Sequence, residues 1–126
     1  DSLTTIEKYA FHSCRSLTSI SLPASLTSLG WDAFHSCFSI TEVVLPARLT
    51  RISSCTFVDC TSLTTVSLPV GLTHIEECAF WGCSSLAVIN IPESLAAVEY
   101  EAFFGCISLD ATTCQRILAI NVLAFG

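Results

Sequence analysis

A 23-residue repeat runs through most of this 126-residue chain, and it limits the fold more than any other feature does. Phenylalanine marks the repeat at Phe11, Phe34, Phe57, Phe80 and Phe103, and cysteine follows three residues later at Cys14, Cys37, Cys60, Cys83 and Cys106. Proline closes the first four copies at Pro23, Pro46, Pro69 and Pro92, whereas Gln115 takes this position in the fifth. A regular period of roughly 20 to 50 residues is typical of a solenoid, because one copy cannot bury its own apolar side chains and must stack on its neighbours.

The copies are assigned to residues 3–25, 26–48, 49–71 and 72–94, with a degenerate copy at 95–117 and a tail at 118–126. Together they form one predicted leucine-rich-repeat domain covering residues 1–126. The chain contains no methionine and begins with Asp1, so we expect it to be a fragment of a longer protein. A signal peptide or an anchor outside this segment is therefore left open.

Each copy predicts two short extended segments and one turn. In the first copy, residues 17–22 read as a strand with Ile20 and Leu22 facing inward, and Pro23 ends it because proline cannot donate to a sheet ladder. Residues 26–29 predict a second extended piece, and residues 32–37 predict one helical or 3₁₀ turn. Stacking these copies gives an α/β solenoid, a right-handed superhelix of parallel strands joined by short helical turns.

The repeat decays near the C-terminus, where a helix is expected to close the solenoid. Asp110 is a suitable N-cap for a helix over residues 111–123. The apolar stripe of that helix would comprise Cys114, Ile117, Leu118 and Val122. A frayed or truncated end is the alternative.

Residues 72–92 carry a family resemblance most clearly and read L-T-H-I-E-E-C-A-F-W-G-C-S-S-L-A-V-I-N-I-P. They resemble the BspA-like leucine-rich repeats, which read L-x-x-I-G-x-x-A-F-x-x-C-x-x-L-x-x-I-x-L-P, and the match extends from Leu3 to about Leu109. The better-known leucine-rich pattern places Asn or Cys after the strand. Here that position holds Ser25, Arg48, Gly71 and Ser94, which favours the BspA-like class.

The resemblance implies a curved or extended solenoid from a large surface protein of bacteria or eukaryotic microbes, of a kind associated with adhesion. It therefore implies a cell-surface or extracellular location, with a cytoplasmic location as the alternative. No catalytic residues are known for this repeat, so none can be carried over to this chain.

The eight cysteines allow three interpretations. The five periodic cysteines are expected to be free, inward-facing thiols that fill a tight turn. Cys55 and Cys78 share one position in adjacent copies, so a disulfide between them is an alternative. A zinc site built from Cys55, Cys60, Cys78 and Cys83 is disfavoured, because the two pairs should face different directions and zinc needs tetrahedral convergence.

Other ligand classes lack support in the sequence. The net charge is −6 and the few basic residues do not cluster, so nucleic-acid binding is not expected. No apolar run approaches the roughly 18 residues of a membrane-spanning helix, so this segment should not insert into a membrane. His12, His35 and Asp32 fall on outer turns rather than in a cleft, and a Ser-His-Asp site needs three groups that meet. We expect no enzymatic activity, no metal and no cofactor.

The outward-facing side chains of the main strands form the candidate protein-binding surface, which we call the β-face and expect to be the concave side. It comprises Ser19, Ser21, Glu42, Val44, Thr65, Ser67, Val88 and Asn90. Solenoids commonly bind partners along such a face. The sequence therefore predicts an interaction or adhesion module with an unknown protein partner. A spacer that only sets the distance between other domains is the alternative.

The side opposite the β-face carries four aromatic residues, Trp31, Trp81, Tyr100 and Phe104. They are either exposed for a protein interface or buried beside the phenylalanine column.

Overall fold

The computed structural model describes residues 3–126 as a stack of short parallel strands followed by one helix. The strands are β1 (Thr5–Ile6), β2 (Ser28–Leu29), β3 (Glu42–Val44), β4 (Arg51–Ile52), β5 (Thr65–Ser67), β6 (His74–Ile75), β7 (Val88–Ile89) and β8 (Ala97–Val98), and the helix is α1 (Ala111–Ile120). From β2 onward they alternate along the chain between the two extended segments that the sequence predicts for each copy, whereas β1 and β2 both come from the second of these segments.

The strands pair in parallel with partners 23 residues apart. One sheet has the order β3-β5-β7, in which Glu42 pairs with Thr65 and Thr65 with Val88. The first copy adds only an isolated bridge from Ser19 to Glu42. The second extended segments form the sheets β1-β2 and β4-β6-β8. The sequence period is therefore also the register of the sheets, and the expected solenoid fold is confirmed.

The apolar positions of the repeat form continuous columns through the core. The phenylalanine rings stack face to face, with centroids 5.2 to 5.4 Å apart from Phe11 to Phe103. Phe34, Phe57, Phe80 and Phe103 are completely buried. Burying each such ring contributes about 1.5–3 kcal/mol before the loss of conformational entropy is subtracted. The stack therefore depends on neighbours for its stability.

The outer turn corrects the expectation of one helical or 3₁₀ turn at residues 32–37. The backbone N–H of Ala33 donates within the turn to Gly30 O, but that of Phe34 donates to Thr56 O in the next copy. The same alternation continues to the end of the turn. Successive β-turns therefore replace a helix, and every second amide ties one copy to the next.

Left-handed backbone at two positions in this turn makes the alternation possible. Asp32 has φ of 58° and Ser36 has φ of 62°. Equivalent positions in other copies are also left-handed, at Tyr9, Ser13, Cys55, Asp59, Cys78, Gly82, Glu101 and Gly105. Such a conformation costs roughly 1–2 kcal/mol for a residue other than glycine. The hydrogen bonds between copies offset this cost.

The C-terminal helix is confirmed, although it is shorter than expected. Asp110 caps it, and Asp110 Oδ1 accepts a hydrogen bond of 2.8 Å from Thr113 N. The helix ends at Ile120 because Asn121 is extended, with φ of −153°. Ile117 is completely buried against the last copy, and Cys114 is half-buried.

The prediction that Leu118 and Val122 belong to the apolar stripe of the helix is wrong. Leu118 and Val122 are 38% and 73% exposed. Val122 falls outside the helix, because the chain turns back at Asn121 and Ala124 O accepts a hydrogen bond from Phe103 N. The last six residues thus occupy the position of a further outer turn.

Candidate functional site

The β-face is formed by alternation along the strands of the sheet β3-β5-β7. The side chains of Val43, Val66 and Ile89 point into the core and are at most 5% exposed. Their neighbours point outward because successive side chains of a strand lie on opposite faces. The 23-residue register then aligns these neighbours into two rows across the sheet.

The first row runs from Ser19 through Glu42 and Thr65 to Val88. The second row contains Ser21, Val44, Ser67 and Asn90, which are all exposed. Val44 and Val88 are 56% and 60% exposed. The structure therefore brings all eight predicted residues to one surface. This surface consists mostly of small side chains, and Glu42 is the only charged residue among the eight.

Asn90 differs from the other β-face residues because its side chain already has partners. Asn90 Oδ1 accepts a hydrogen bond of 2.7 Å from Leu68 N, and Asn90 Nδ2 donates one of 2.9 Å to Leu68 O. The amide therefore continues the sheet ladder beyond β7. A partner would meet only the remaining outer surface of this side chain, and the sequence pattern gave no signal of this arrangement.

The periodic cysteines are held in the core by hydrogen bonds between copies. The Sγ of Cys37, Cys60, Cys83 and Cys106 each donates to the carbonyl of the phenylalanine 26 residues earlier, at 3.0 to 3.2 Å. Burial raises the pKa of the Cys37 thiol to about 11 and that of Cys106 to about 12. These neutral thiols are structural donors, which explains the period of the cysteines.

Cys55 and Cys78 form a separate pair outside this core. All eight cysteines are free thiols, and this pair is half-buried. Within residues 3–126, no group of three or more His, Cys, Asp or Glu side chains is arranged to hold a metal ion.

The outer turn brings a serine, a histidine and an aspartate together. Ser36 Oγ lies 2.9 Å from His35 Nδ1, and Asp32 Oδ1 lies 3.8 Å from His35 Nε2. The second distance is too long for a hydrogen bond. The first copy repeats the contact between Ser13 and His12 at 3.0 Å without an aspartate, so the pair reflects the repeat position rather than a catalytic group.

Aromatic pairs occupy this outer side at both ends of the stack. Trp31 is 43% exposed, packs edge-on against Tyr9 and has Lys8 Nζ 5.1 Å from its ring centroid. Trp81 is half-buried and stacks on Phe104, with centroids 5.3 Å apart. Tyr100 and Phe104 are 48% and 40% exposed. The 23-residue spacing from Lys8 to Trp31 and from Trp81 to Phe104 would have predicted both contacts.

A membrane-spanning helix is not found among the described residues, since α1 is 10 residues long.

Comparison with known proteins identifies the family. The family model described as the BspA type leucine rich repeat region matches residues 1–122 in six copies. The chain belongs to the BspA-type leucine-rich repeat family. The resemblance drawn from the sequence is therefore confirmed, and no curated protein matches the chain.

Solved structures of bacterial leucine-rich repeat proteins share the fold. The leucine-rich repeat protein of T. pallidum is 37% identical, with a TM-score of 0.90 over 94% of this chain and 56% of its own. A leucine-rich cell surface protein of Faecalibacterium prausnitzii is 34% identical, with a TM-score of 0.84 over 87% of this chain and 29% of its own. A leucine-rich repeat protein of Bacteroides ovatus is 32% identical, with a TM-score of 0.79, over 86% of this chain and 28% of its own. The chain thus spans little more than half of the first of these proteins and less than a third of the others.

Proposed function

We propose that this BspA-type repeat domain is a non-enzymatic module for protein interaction or adhesion at the cell surface, and that it binds its partner through the β-face. The exposure of Val44 and Val88 carries this proposal. The inward residues of the same strands are buried, whereas these two valines are open to solvent. The core of a protein interface is more apolar than its rim, so in this proposal the two valines form the apolar part of the contact and the hydroxyl side chains form its polar rim.

The chemistry of the β-face supports a protein partner. It offers Ser19, Ser21, Thr65 and Ser67 as hydroxyl donors and acceptors around the valines, with Glu42 as its single charge. A nearly neutral surface is unsuited to phosphate recognition, which depends on positive charge. The β-face therefore fits an uncharged, partly apolar region of a partner protein. The proposed location at the cell surface is supported by the Faecalibacterium relative, which is described as a cell surface protein.

A pair of matched valine variants tests the role of the β-face. The double variant Val44→Ser, Val88→Ser removes both exposed apolar groups from the face. Its control is Val70→Ser, Val122→Ser, because those valines are 86% and 73% exposed and lie outside the face. Biolayer interferometry would measure binding of the immobilised chain to a panel of purified secreted and cell-surface proteins.

We expect at least one binding partner whose affinity falls at least tenfold in the β-face variant and less than twofold in the control. The variant with Glu42→Lys, Thr65→Lys and Ser67→Lys should abolish the same binding, because it places three ammonium groups on a nearly neutral surface. Equal losses in the test and control variants would refute the β-face as the binding surface. If no protein of the panel bound, the alternative of a spacer between other domains would be favoured.

A further inference from the structure

Cys55 and Cys78 occupy the same position of two consecutive copies, on the outer turns. The two thiols are close enough to influence each other electrostatically. Both residues are left-handed, with φ of 60° and 59°, so their side chains leave the backbone in the same direction. Both are half-buried, so that small molecules in solution can reach them.

The backbone holds the two residues at a separation suited to a disulfide. Cys55 N donates to Glu77 O, and Cys78 N donates to Tyr100 O, so each turn is tied to the next copy beside the cysteines. Backbones joined in this way lie about 4.8 Å apart. Disulfides form where the Cα atoms are about 4.4–6.8 Å apart.

The periodic cysteines provide a contrast within the same protein. Cys60 and Cys83 are also neighbours in consecutive copies, but they are completely buried and their Sγ atoms donate to Phe34 O and Phe57 O. A reagent in solution cannot reach them while the stack is folded. The outer pair is therefore the accessible dithiol of copies three and four.

We propose that Cys55 and Cys78 form a thiol–disulfide exchange site that is oxidised by small, cationic disulfides to a bond between copies. One thiolate attacks a sulfur of the small disulfide and releases one small thiol, leaving a mixed disulfide. The second cysteine loses its proton to water and attacks the protein sulfur of that mixed disulfide, which releases the second small thiol. The two cysteines are oxidised and the small disulfide is reduced to two thiols.

The surroundings of the pair select the charge of the reagent. Asp32, Glu77 and Glu101 all act on the two thiols electrostatically. Burial, followed by the charge of Asp32, raises the pKa of Cys55 to about 11. Burial, followed by the charges of Glu77 and Glu101, also raises the pKa of Cys78. This negative field attracts a cationic disulfide and repels an anionic one. It also keeps the thiolate scarce, so the reaction rate should rise with pH until the ammonium groups of the reagent lose their protons.

The experiment treats the folded, reduced protein with cystamine, a dicationic disulfide, and separately with the anionic disulfide dithiodiglycolate. After quenching, free thiols are counted under denaturing conditions, and peptides are mapped by mass spectrometry without reduction. The variants Cys55→Ser and Cys78→Ser are treated in parallel. Each replaces a half-buried thiol with a hydroxyl at a turn that faces solvent, and circular dichroism checks that they remain folded.

We expect cystamine to give a peptide pair joined at Cys55 and Cys78 that carries no cysteamine, whereas Cys14 and Cys114, which are also half-buried, should each retain one cysteamine. Each single variant should instead retain one cysteamine on the remaining cysteine of the pair. Dithiodiglycolate should react at least fivefold more slowly at low ionic strength, and added salt should reduce that difference. The melting temperature of the oxidised wild type should rise by several degrees, because the bond restricts the unfolded chain.

Three results would overturn the proposal. The first is the retention of free thiols at both Cys55 and Cys78 after cystamine treatment at pH 9. The second is a linkage that involves the periodic cysteines. The third is stable modification of both Cys55 and Cys78 without a bond between them, which would show that the turns hold the sulfurs too far apart.

Discussion

The two ends of this repeat stack are built from the same 23-residue unit but bury it to different extents. In the first copy, Phe11, Leu17 and Ile20 are only partly buried, and Leu3 is 46% exposed. In the fifth copy, Phe103 is completely buried, because the chain beyond it turns back and places the Phe125 ring 6.1 Å away. The difference shows that burial of a repeat position depends on what stacks against it, and not on the residue alone.

The C-terminal end owes its burial to a few specific contacts. Ile117 of the helix covers the apolar columns, and Arg116 Nη2 donates to Ile91 O at 2.9 Å. Asn121 Nδ2 donates to Val98 O at 2.8 Å, where the strand ladder would otherwise stop. The helix and the residue that follows it therefore cover both the core and the backbone edge of the fifth copy.

Removing a phenylalanine ring at each end should give the largest contrast. We expect Phe103→Ala to reduce the free energy of unfolding by about 3–5 kcal/mol, because a fully enclosed ring leaves a cavity. Phe11→Ala should cost less than half as much, since its ring is already partly in contact with water. Urea unfolding followed by circular dichroism measures both, and equal losses would contradict the difference between the ends.

Shortening the apolar side chain that closes the core should have the next largest effect. Ile117→Ala is expected to cost about 2–5 kcal/mol, because Ile117 is completely buried. Leu118→Ala is the matched control on the same helix, where the side chain is 38% exposed, and it should stay within about 0.5 kcal/mol of the wild type. A similar loss in both variants would mean that the helix does not use Ile117 as its contact with the core.

Hydrogen bonds at the backbone edges of the stack should contribute less to the free energy of unfolding than the buried side chains of the core. Asn121→Ala removes the donor to Val98 O and the acceptor for Leu123 N, and it should cost about 1–2 kcal/mol. Ser25→Ala at the other end removes the exposed hydrogen bond from Ser25 Oγ to Leu3 O and should cost less than about 0.5 kcal/mol. Chemical denaturation of the two variants side by side would show whether the edges differ as the cores do.

The repeat period predicted the parts of the fold that depend on which side chains are buried. It fixed the strand register, the phenylalanine column and the buried cysteines, and Asp110 marked the start of the helix. These features follow from the spacing of apolar residues and from capping, and both are visible in the amino-acid sequence.

Two kinds of feature could not be predicted from the sequence. The first is a residue with positive φ, and the second is a side chain that hydrogen-bonds to one particular backbone N–H or carbonyl group. The first left-handed position of the turn holds Tyr9, Asp32, Cys55, Cys78 and Glu101, and this mixture carries no glycine signal, whereas the second position holds Gly82 and Gly105 in two copies. The hydrogen bonds to the next copy impose this conformation. Likewise, the strand alternation predicted Asn90 on the β-face, but only the structure shows that its amide pairs with the Leu68 backbone.

The smallest effect concerns the charge at the start of the C-terminal helix, which has no counterpart in the first copy. The backbone hydrogen bond from Thr113 lowers the pKa of Asp110 below its ordinary 3.8. Because the folded pKa lies below the unfolded one, this bond stabilises the protein fully above about pH 5, and the stabilisation is lost as the pH falls through 3.8 and below. Asp110→Asn keeps a good N-cap but cannot titrate. The melting temperature of the wild type should therefore slightly exceed that of the variant at pH 7, and the two should converge or cross near pH 3. A constant difference from pH 7 to pH 3 would show that the carboxylate charge does not strengthen the cap.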